Sequence, residues 1–336
     1  MIMTRRRTFG INVAGFAPPL ETVRLAKTAE AHGFEYVWIA DENPSPLCRD
    51  AIVNMTTVAL KTSRIKVGTG VCNFYTRHAA LLAVFASTLS ELAKDRVILG
   101  LGPGGEMPLK PLGIKMWEKP LTTLREGIGI LNGLLNGETV NCDGEMMKAE
   151  NVHLEFYPKT KIPIYLAARS PKLTQMVGEL ADGSLLNAPL RSVENAVKMI
   201  REGASKAGRS MNEIDVGNIL PFAISQNRIE AVKKVRHLAT FMAASTPDSV
   251  HDALGTPLER VESVRNALTK GLATEAMTFM SDRMIDDFSV AGKTSECLEK
   301  VEAFFNAGVT QMIFVVPGGM RDIASAGSAI ISSFEG

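Results

Sequence analysis

Short β-branched or apolar runs alternate along the whole chain with longer stretches in which apolar residues recur every three or four positions. The short runs predict strands at 8–13, 35–40, 65–71, 97–101, 162–167, 183–187, 214–222 and 310–316. The longer ones predict helices at 19–32, 50–62, 79–94, 119–136, 171–181, 191–207, 228–243 and 318–333. Stop signals such as Ala31-His32-Gly33 and Asn306-Ala307-Gly308 stand before the second and eighth strands. Eight β/α units in series fit a (β/α)8 TIM barrel, which takes about 250 residues, so 336 residues leave a surplus. The surplus maps to insertions at 103–118, at 138–156 and at 244–290. Asn141-Cys142-Asp143-Gly144 between short extended runs marks the second as a β-hairpin, and the third is mostly helical by pattern. An open doubly wound sheet is the alternative, because strand order is not written in the sequence. No repeat or low-complexity linker divides the chain, so 1–336 is expected to form a single domain.

Composition narrows the classes of function. Hydrophobic residues make up 46% of the chain, enough for a substantial core. The 37 basic and 36 acidic residues are dispersed and leave a net charge of +1, so no electrostatic footprint for nucleic acid or an anionic membrane is expected. Arg5-Arg6-Arg7 reads as a solvated end. Cys48, Cys72, Cys142 and Cys297 lie far apart, without a C-x-x-C pair or a histidine at ligand spacing, so no metal site is expected. No apolar core of about 7 to 15 residues follows the N-terminal arginines, and no run of about 18 apolar residues occurs. These features fit a soluble, cytoplasmic protein.

Candidate chemistry gathers where the predicted strands end. In Arg64 to His78, a β-branched run closes on Gly68 and Gly70, which let the backbone turn sharply or approach a flat ligand. Gly100-Leu101-Gly102-Pro103-Gly104-Gly105 satisfies G-x-G-x-x-G, but Pro108 and Pro111 stand where a dinucleotide-binding helix would run. It reads instead as a close-approach loop at the mouth of strand four. Ala168-Arg169-Ser170-Pro171-Lys172 opens a helix after strand five, with Ser170 as N-cap candidate. That segment fits either an anion site at a helix N-terminus or an ordinary helix start. Asp41 and Glu42 end strand two, where a barrel aims side chains into its mouth, and serve as acid, base or hydrogen-bonding candidates. Of the five histidines, His78 alone falls near a strand's C-terminal end. Trp117-Glu118-Lys119-Pro120 reads as a loop packed on the barrel, and the 16 methionines as gap fillers.

Taken together, these residues resemble the bacterial-luciferase-like flavin and deazaflavin oxidoreductases, and within them the coenzyme F420-dependent methylenetetrahydromethanopterin reductases. The resemblance is carried by Phe9-Gly10-Ile11, Trp38-Ile39-Ala40-Asp41, Gly68 to Tyr75, Leu99 to Gly105, Trp117 to Leu121, Asp143-Gly144-Glu145, Ile162 to Tyr165, Ala181-Asp182-Gly183 and Met284 to Lys293. It implies a (β/α)8 barrel with a deazaflavin in its mouth, backed by a bulge containing a non-prolyl cis peptide that matches Gly70-Val71. Cofactor contacts are then expected from Asp41, Gly70, Val71, Asn73, Gly102 and Gly104, with the cofactor phosphate at Ala168, Arg169, Ser170 and Lys172. F420 is the implied cofactor, FMN the alternative with monooxygenase chemistry, and a carrier barrel without catalysis a third reading. A small-molecule substrate, a pterin in the reductases, and a homodimer are also implied. Three departures bear on proton handling. Asn12 stands where the reductases carry a glutamate, Asp41-Glu42 replaces Asp-His, and Gly105 replaces an acid, with Glu106 one residue later. Glu42, Glu106 and Asn12 are therefore the catalytic candidates.

Overall fold

The computed structural model describes residues 7–42, 47–104, 109–110, 113–114 and 119–334. Its strands are β1 Thr8–Val13, β2 Tyr36–Ile39, β3 Lys66–Thr69, β4 Val97–Leu101, β5 Val140–Asp143, β6 Lys148–Val152, β7 Ile164–Ala167, β8 Gly183–Leu186, β9 Asp215–Ile224, β10 Val290–Gly292 and β11 Gln311–Val315. Eight of them pair in parallel in the order β1-β2-β3-β4-β7-β8-β9-β11, and β11 pairs back onto β1. The sheet is closed, which excludes the open doubly wound alternative.

Alternation along each strand sorts side chains between two cores. Phe9, Ile11, Val13, Val37, Ile39, Val67, Leu99, Met312 and Phe314 face the surrounding helices. Tyr36, Trp38, Ile98, Tyr165, Leu185, Ile219 and Ile313 fill the lumen. Every barrel strand lies within two residues of its predicted limits at each end.

The 138–156 segment forms an antiparallel hairpin from β5 and β6. Asn141, Cys142 and Asp143 belong to its first strand rather than its turn. The Glu126 carboxylate accepts the N–H groups of Glu145, Met146 and Met147, each at 2.9 Å, and so anchors that turn to the helix Pro120–Leu135.

One helix assignment is corrected. The helix Arg228–Ala244 packs with Asp248–Leu254, Leu258–Thr269, Ala273–Thr278 and Asp282–Asp287 around a separate core that includes Val235, Ala239, Val264, Met284 and Phe288. The helix Thr294–Asn306, absent from the sequence reading, instead contributes Cys297, Val301, Phe304 and Phe305 to the main core before β11. Its apolar residues fall at helical spacing, and its stop signal, Asn306-Ala307-Gly308, was legible without the helix. Arg7 is no free end either, since it forks onto the Glu302 carboxylate at 2.9 and 2.8 Å and lies 5.3 Å from the rings of Phe305 and Phe334. Arg5, Arg6, Gly105, Glu106, Trp117 and Glu118 lie outside the described residues.

Candidate active site

Between Gly68, which pairs with Ile98, and Cys72, which pairs with Leu101, the third strand advances four residues while β4 advances three. The extra residue makes a β-bulge, a device that re-aims a strand end. The peptide bond Gly70-Val71 within it is cis. The displaced ladder is repaired by one side chain. Thr69 Oγ1 donates to the Gly100 carbonyl at 2.7 Å and accepts the Gly100 N–H at 2.9 Å. Beyond the bulge the backbone pairing resumes, with Cys72 N–H to Gly100 O and Gly102 N–H to Cys72 O, both 2.9 Å.

The glycines have different tasks. A Cβ on Gly68 would stand 2.6 Å from two atoms of the Trp38 indole, so this glycine makes room for a core ring and not for a ligand. Gly70 faces Asn12, whose Nδ2 would lie 2.9 Å from an added Cβ. A Cβ on Gly102 would lie 2.8 Å from Val71 Cγ2 and 3.4 Å from Ala167 Cβ, so its absence leaves a level apolar floor between the two. Val71, Ala167, Val315 and Met242 pack over the lumen core and are each only partly buried. Met242, from the helix Arg228–Ala244, packs against all three cores of the molecule. Gly104 has φ +76°, a conformation that favours glycine, and passes beside Asn73.

Polar groups flank this floor. The Cys72 thiol donates to Asp41 Oδ2 at 3.2 Å, and burial together with that carboxylate pushes the thiol well above its usual range. Arg77 Nη2 pairs with Asp50 Oδ2 at 2.6 Å, while Arg77 Nη1 and Tyr75 Oη are buried without a hydrogen-bond partner among the described residues. Burial works to raise Asp50, but the Arg77 bond and the N–H groups of Val53 and Ile52 hold it below the usual carboxylate range. Asn73 is buried, and its Oδ1 accepts the N–H groups of Tyr75 and Thr76 at 3.0 and 2.9 Å, so it shapes the loop after the bulge. Glu42 is exposed one residue beyond Asp41, with Cys48 Sγ 3.4 Å from its Oε2.

After β7, Ala168 is buried and Arg169 is exposed. Arg169 Nε and Nη2 fork onto Asn187 Oδ1 at 3.1 and 2.8 Å, and Nη1 reaches Ser245 O at 3.4 Å. Ser170 occupies the N-cap position of the helix Pro171–Leu180, but its side chain makes no capping bond, contrary to the sequence expectation. The first N–H groups of that helix are thus left uncapped by Ser170, with exposed Lys172 beside them.

The sequence reading thus named Asn12, Asp41, Gly70, Val71, Gly102 and Gly104, which the structure brings to the C-terminal mouth of neighbouring strands. It missed Thr69, Cys72, Arg77, Asn187 and Met242. Thr69 and Cys72 carry no motif of their own, and their roles follow only from the bulge.

A closed parallel barrel with a bulged third strand, a glycine-floored mouth and an uncapped helix start after its fifth barrel strand defines a ligand-binding barrel of the (β/α)8 class. The chain belongs to the luciferase-like monooxygenase family, whose model matches residues 1–311. It is similar to the 5,10-methylenetetrahydromethanopterin reductase of Methanolobus tindarius, 38% identical over 314 residues that cover 93% of this chain and 95% of the relative. The enzyme of that description from Archaeoglobus fulgidus is 35% identical, covering 93% and 94%. The solved structure of the coenzyme F420-dependent tetrahydromethanopterin reductase from Methanopyrus kandleri superposes with a TM-score of 0.91 at 31% identity, covering 98% of this chain and all of that one.

Proposed function

We propose that this chain is a coenzyme F420-dependent oxidoreductase of the 5,10-methylenetetrahydromethanopterin reductase type. The observation that carries the reading is 31–38% identity to such reductases over more than nine-tenths of each chain. The mouth fits a flat ring, because Val71, Gly102 and Ala167 form an apolar floor that a Cβ on Gly102 would interrupt. The chemistry a reduced deazaflavin would supply there is a hydride for the methylene carbon of the substrate.

The chain's own residues then have three tasks. Gly70, Val71 and Gly102 hold the ring, with Asp41, Asn73 and Gly104 around its rim. Ala168, Arg169, Ser170 and Lys172 hold the cofactor phosphate, supported by the uncapped N–H groups of Pro171–Leu180 and by two cationic side chains. Reduction of a methylene bridge to a methyl group also takes up a proton at the released nitrogen. Glu42 or Glu106 delivers it, and Asn12, a neutral amide facing Gly70, orients the reacting group without titrating.

Mixing reduced F420 and methylenetetrahydromethanopterin with the protein is expected to regenerate the absorbance of oxidised F420 in proportion to methyl product. Tighter binding of FMN than of F420, or no oxidation, would overturn the reading. Glu42→Gln and Glu106→Gln test the proton role, and turnover with an unchanged pH profile in both would remove it. A homodimer is part of this proposal, supported by exposed Val53 and Leu60 on the helix Ala51–Lys61 and exposed Leu81 and Leu92 on its neighbour Ala79–Ala93. Leu60→Glu with Leu81→Glu should shift the mass in solution to that of a monomer. A cytoplasmic location is supported by the four free cysteines.

A further inference from the structure

Below the bulge, the lumen holds a chain of contacts that the proposed reaction does not use. Trp38 is fully buried, and its indole lies across Gly68 and beside Gly10, where added Cβ atoms would meet it at 2.6 and 3.4 Å. Tyr36 lies parallel to it at 6.2 Å between centroids, and Tyr165 is tilted against it at 5.0 Å. The single polar atom of the indole, Nε1, donates to Gln311 Oε1 at 3.0 Å. Gln311 is itself fully buried and donates through Nε2 to Asp215 Oδ2 at 3.2 Å. Asp215 also accepts from Tyr165 Oη at 2.8 Å and from Thr310 Oγ1. Gln311 and Asp215 open β11 and β9, so they lie at the end of the barrel opposite the mouth.

Trp38 pairs in register with Gly68 on one side and Asn12 on the other. An added Cβ on Gly70 would be 3.1 Å from Trp38 Cβ, so the tryptophan sits one layer beneath the bulge with no free space between. Its ring cannot rotate about its own axis without pressing on the glycine backbone of β3, and packed interiors transmit such strain. The hydrogen bond to Gln311 adds a directional constraint to that packing.

We infer that Gln311, held by Asp215, is a positioning residue that acts through Trp38 to set the height of the Gly70-Val71 bulge against the cofactor ring. This rests on the mouth being the F420 site. The test measures the F420 dissociation constant by ligand fluorescence, together with kcat and the substrate KM, for the wild type, Gln311→Met, Trp38→Phe and the double variant. Gln311→Met keeps the volume and removes the amide, and Trp38→Phe removes the N–H together with Cε3 and Cζ3, the carbons that lie over Gly68. Both are expected to weaken F420 binding, Gln311→Met by about 5-fold, the size of one hydrogen bond, and Trp38→Phe by at least as much, with the substrate KM within about twofold of wild type. In the Trp38→Phe background the second substitution should add less than about twofold, because its partner is already gone. Additive losses, or wild-type F420 affinity in both single variants, would overturn the inference while leaving the proposed function standing. Failure of the wild type to bind F420 would overturn both. Trp38→Phe carries the same expectation by itself should Gln311→Met not fold.

Discussion

Thr69 and Gly100 exchange two hydrogen bonds through one hydroxyl, at 2.7 and 2.9 Å, at the point where the extra residue of β3 has broken the backbone ladder. The Gly100 carbonyl also accepts from Cys72 N–H, so it keeps a partner without the hydroxyl, but its N–H does not. Both residues are buried. Thr69→Val, which matches the shape and removes the hydroxyl, should therefore cost about 1–3 kcal/mol, the price of one orphaned buried donor. Thr69→Ser should stay within about 1 kcal/mol of wild type. Urea unfolding of the two variants checks this, and equal stability of Thr69→Val would mean that the bulge is held by something else.

Gly68 and Gly70 look alike in sequence but differ in what surrounds them. Gly68→Ala drives a methyl group into the face of a rigid, fully buried indole at 2.6 Å and should destabilise by about 1–3 kcal/mol. Trp38→Leu in the same chain frees that space, so the double variant should be less destabilised than the sum of the two singles. A strictly additive pair in thermal or urea unfolding would show that the indole is not the obstacle.

Much of the barrel was legible because its signals are local. A buried parallel strand needs only a short β-branched or apolar run with a turn at its end, and β1, β4 and β8 satisfy that within a residue or so. The helix Thr294–Asn306 escaped because a helical insertion precedes it, and neither pattern nor length says which of two consecutive helices packs on the barrel. The glycines and Asp41 of the candidate site stand out in sequence because they fall at strand ends. Its supports do not. Thr69, Cys72 and Gln311 gain their roles from partners 31, 31 and 273 positions away, and such pairings depend on register. Ser170 shows the converse, since a good N-cap residue in the right place leaves the helix uncapped.

The inserted helices are fastened to the barrel by Arg191. Its Nε and Nη2 fork onto Asp287 at 3.1 and 2.6 Å, and its Nη1 donates to Leu254 O at 2.9 Å. Asp287 is 9% exposed and Arg191 39%, so removing the arginine leaves a nearly buried carboxylate without its forked partner, in the field of Lys300. The pair is partly solvated on one side, and Arg191→Ala should cost about 1–3 kcal/mol rather than the about 3–5 of a fully buried pair. Arg191→Lys should recover little, because a lysine cannot fork. Limited proteolysis checks the location of the effect. Cleavage should accelerate within 248–287 and not in the barrel helices.

The core of the insertion also contains a histidine that has to stay neutral. His251 is fully buried, its Nε2 lies 2.9 Å from Ala243 O and its Nδ1 has no partner among the described residues, so the Nε2 carries the proton and a second one would find no acceptor there. Burial lowers its pKa from the usual 6.5, the backbone bond to Ala243 opposes that, and Arg265 adds to the lowering against the pull of Asp248 and Asp252. A histidine with a depressed folded pKa binds its proton more readily in the unfolded chain. Its neutral form therefore contributes stability above pH 6.5 that is lost as the pH falls through the folded value. Within that window the slope is at most about 1.4 kcal/mol per pH unit. His251→Gln keeps a donor toward Ala243 and cannot titrate. It should be less stable than wild type at pH 7.5 through lost packing, yet show a flatter decline between pH 6.5 and pH 5 in urea unfolding. Parallel curves for the two proteins would mean that other groups set the acid sensitivity of this fold.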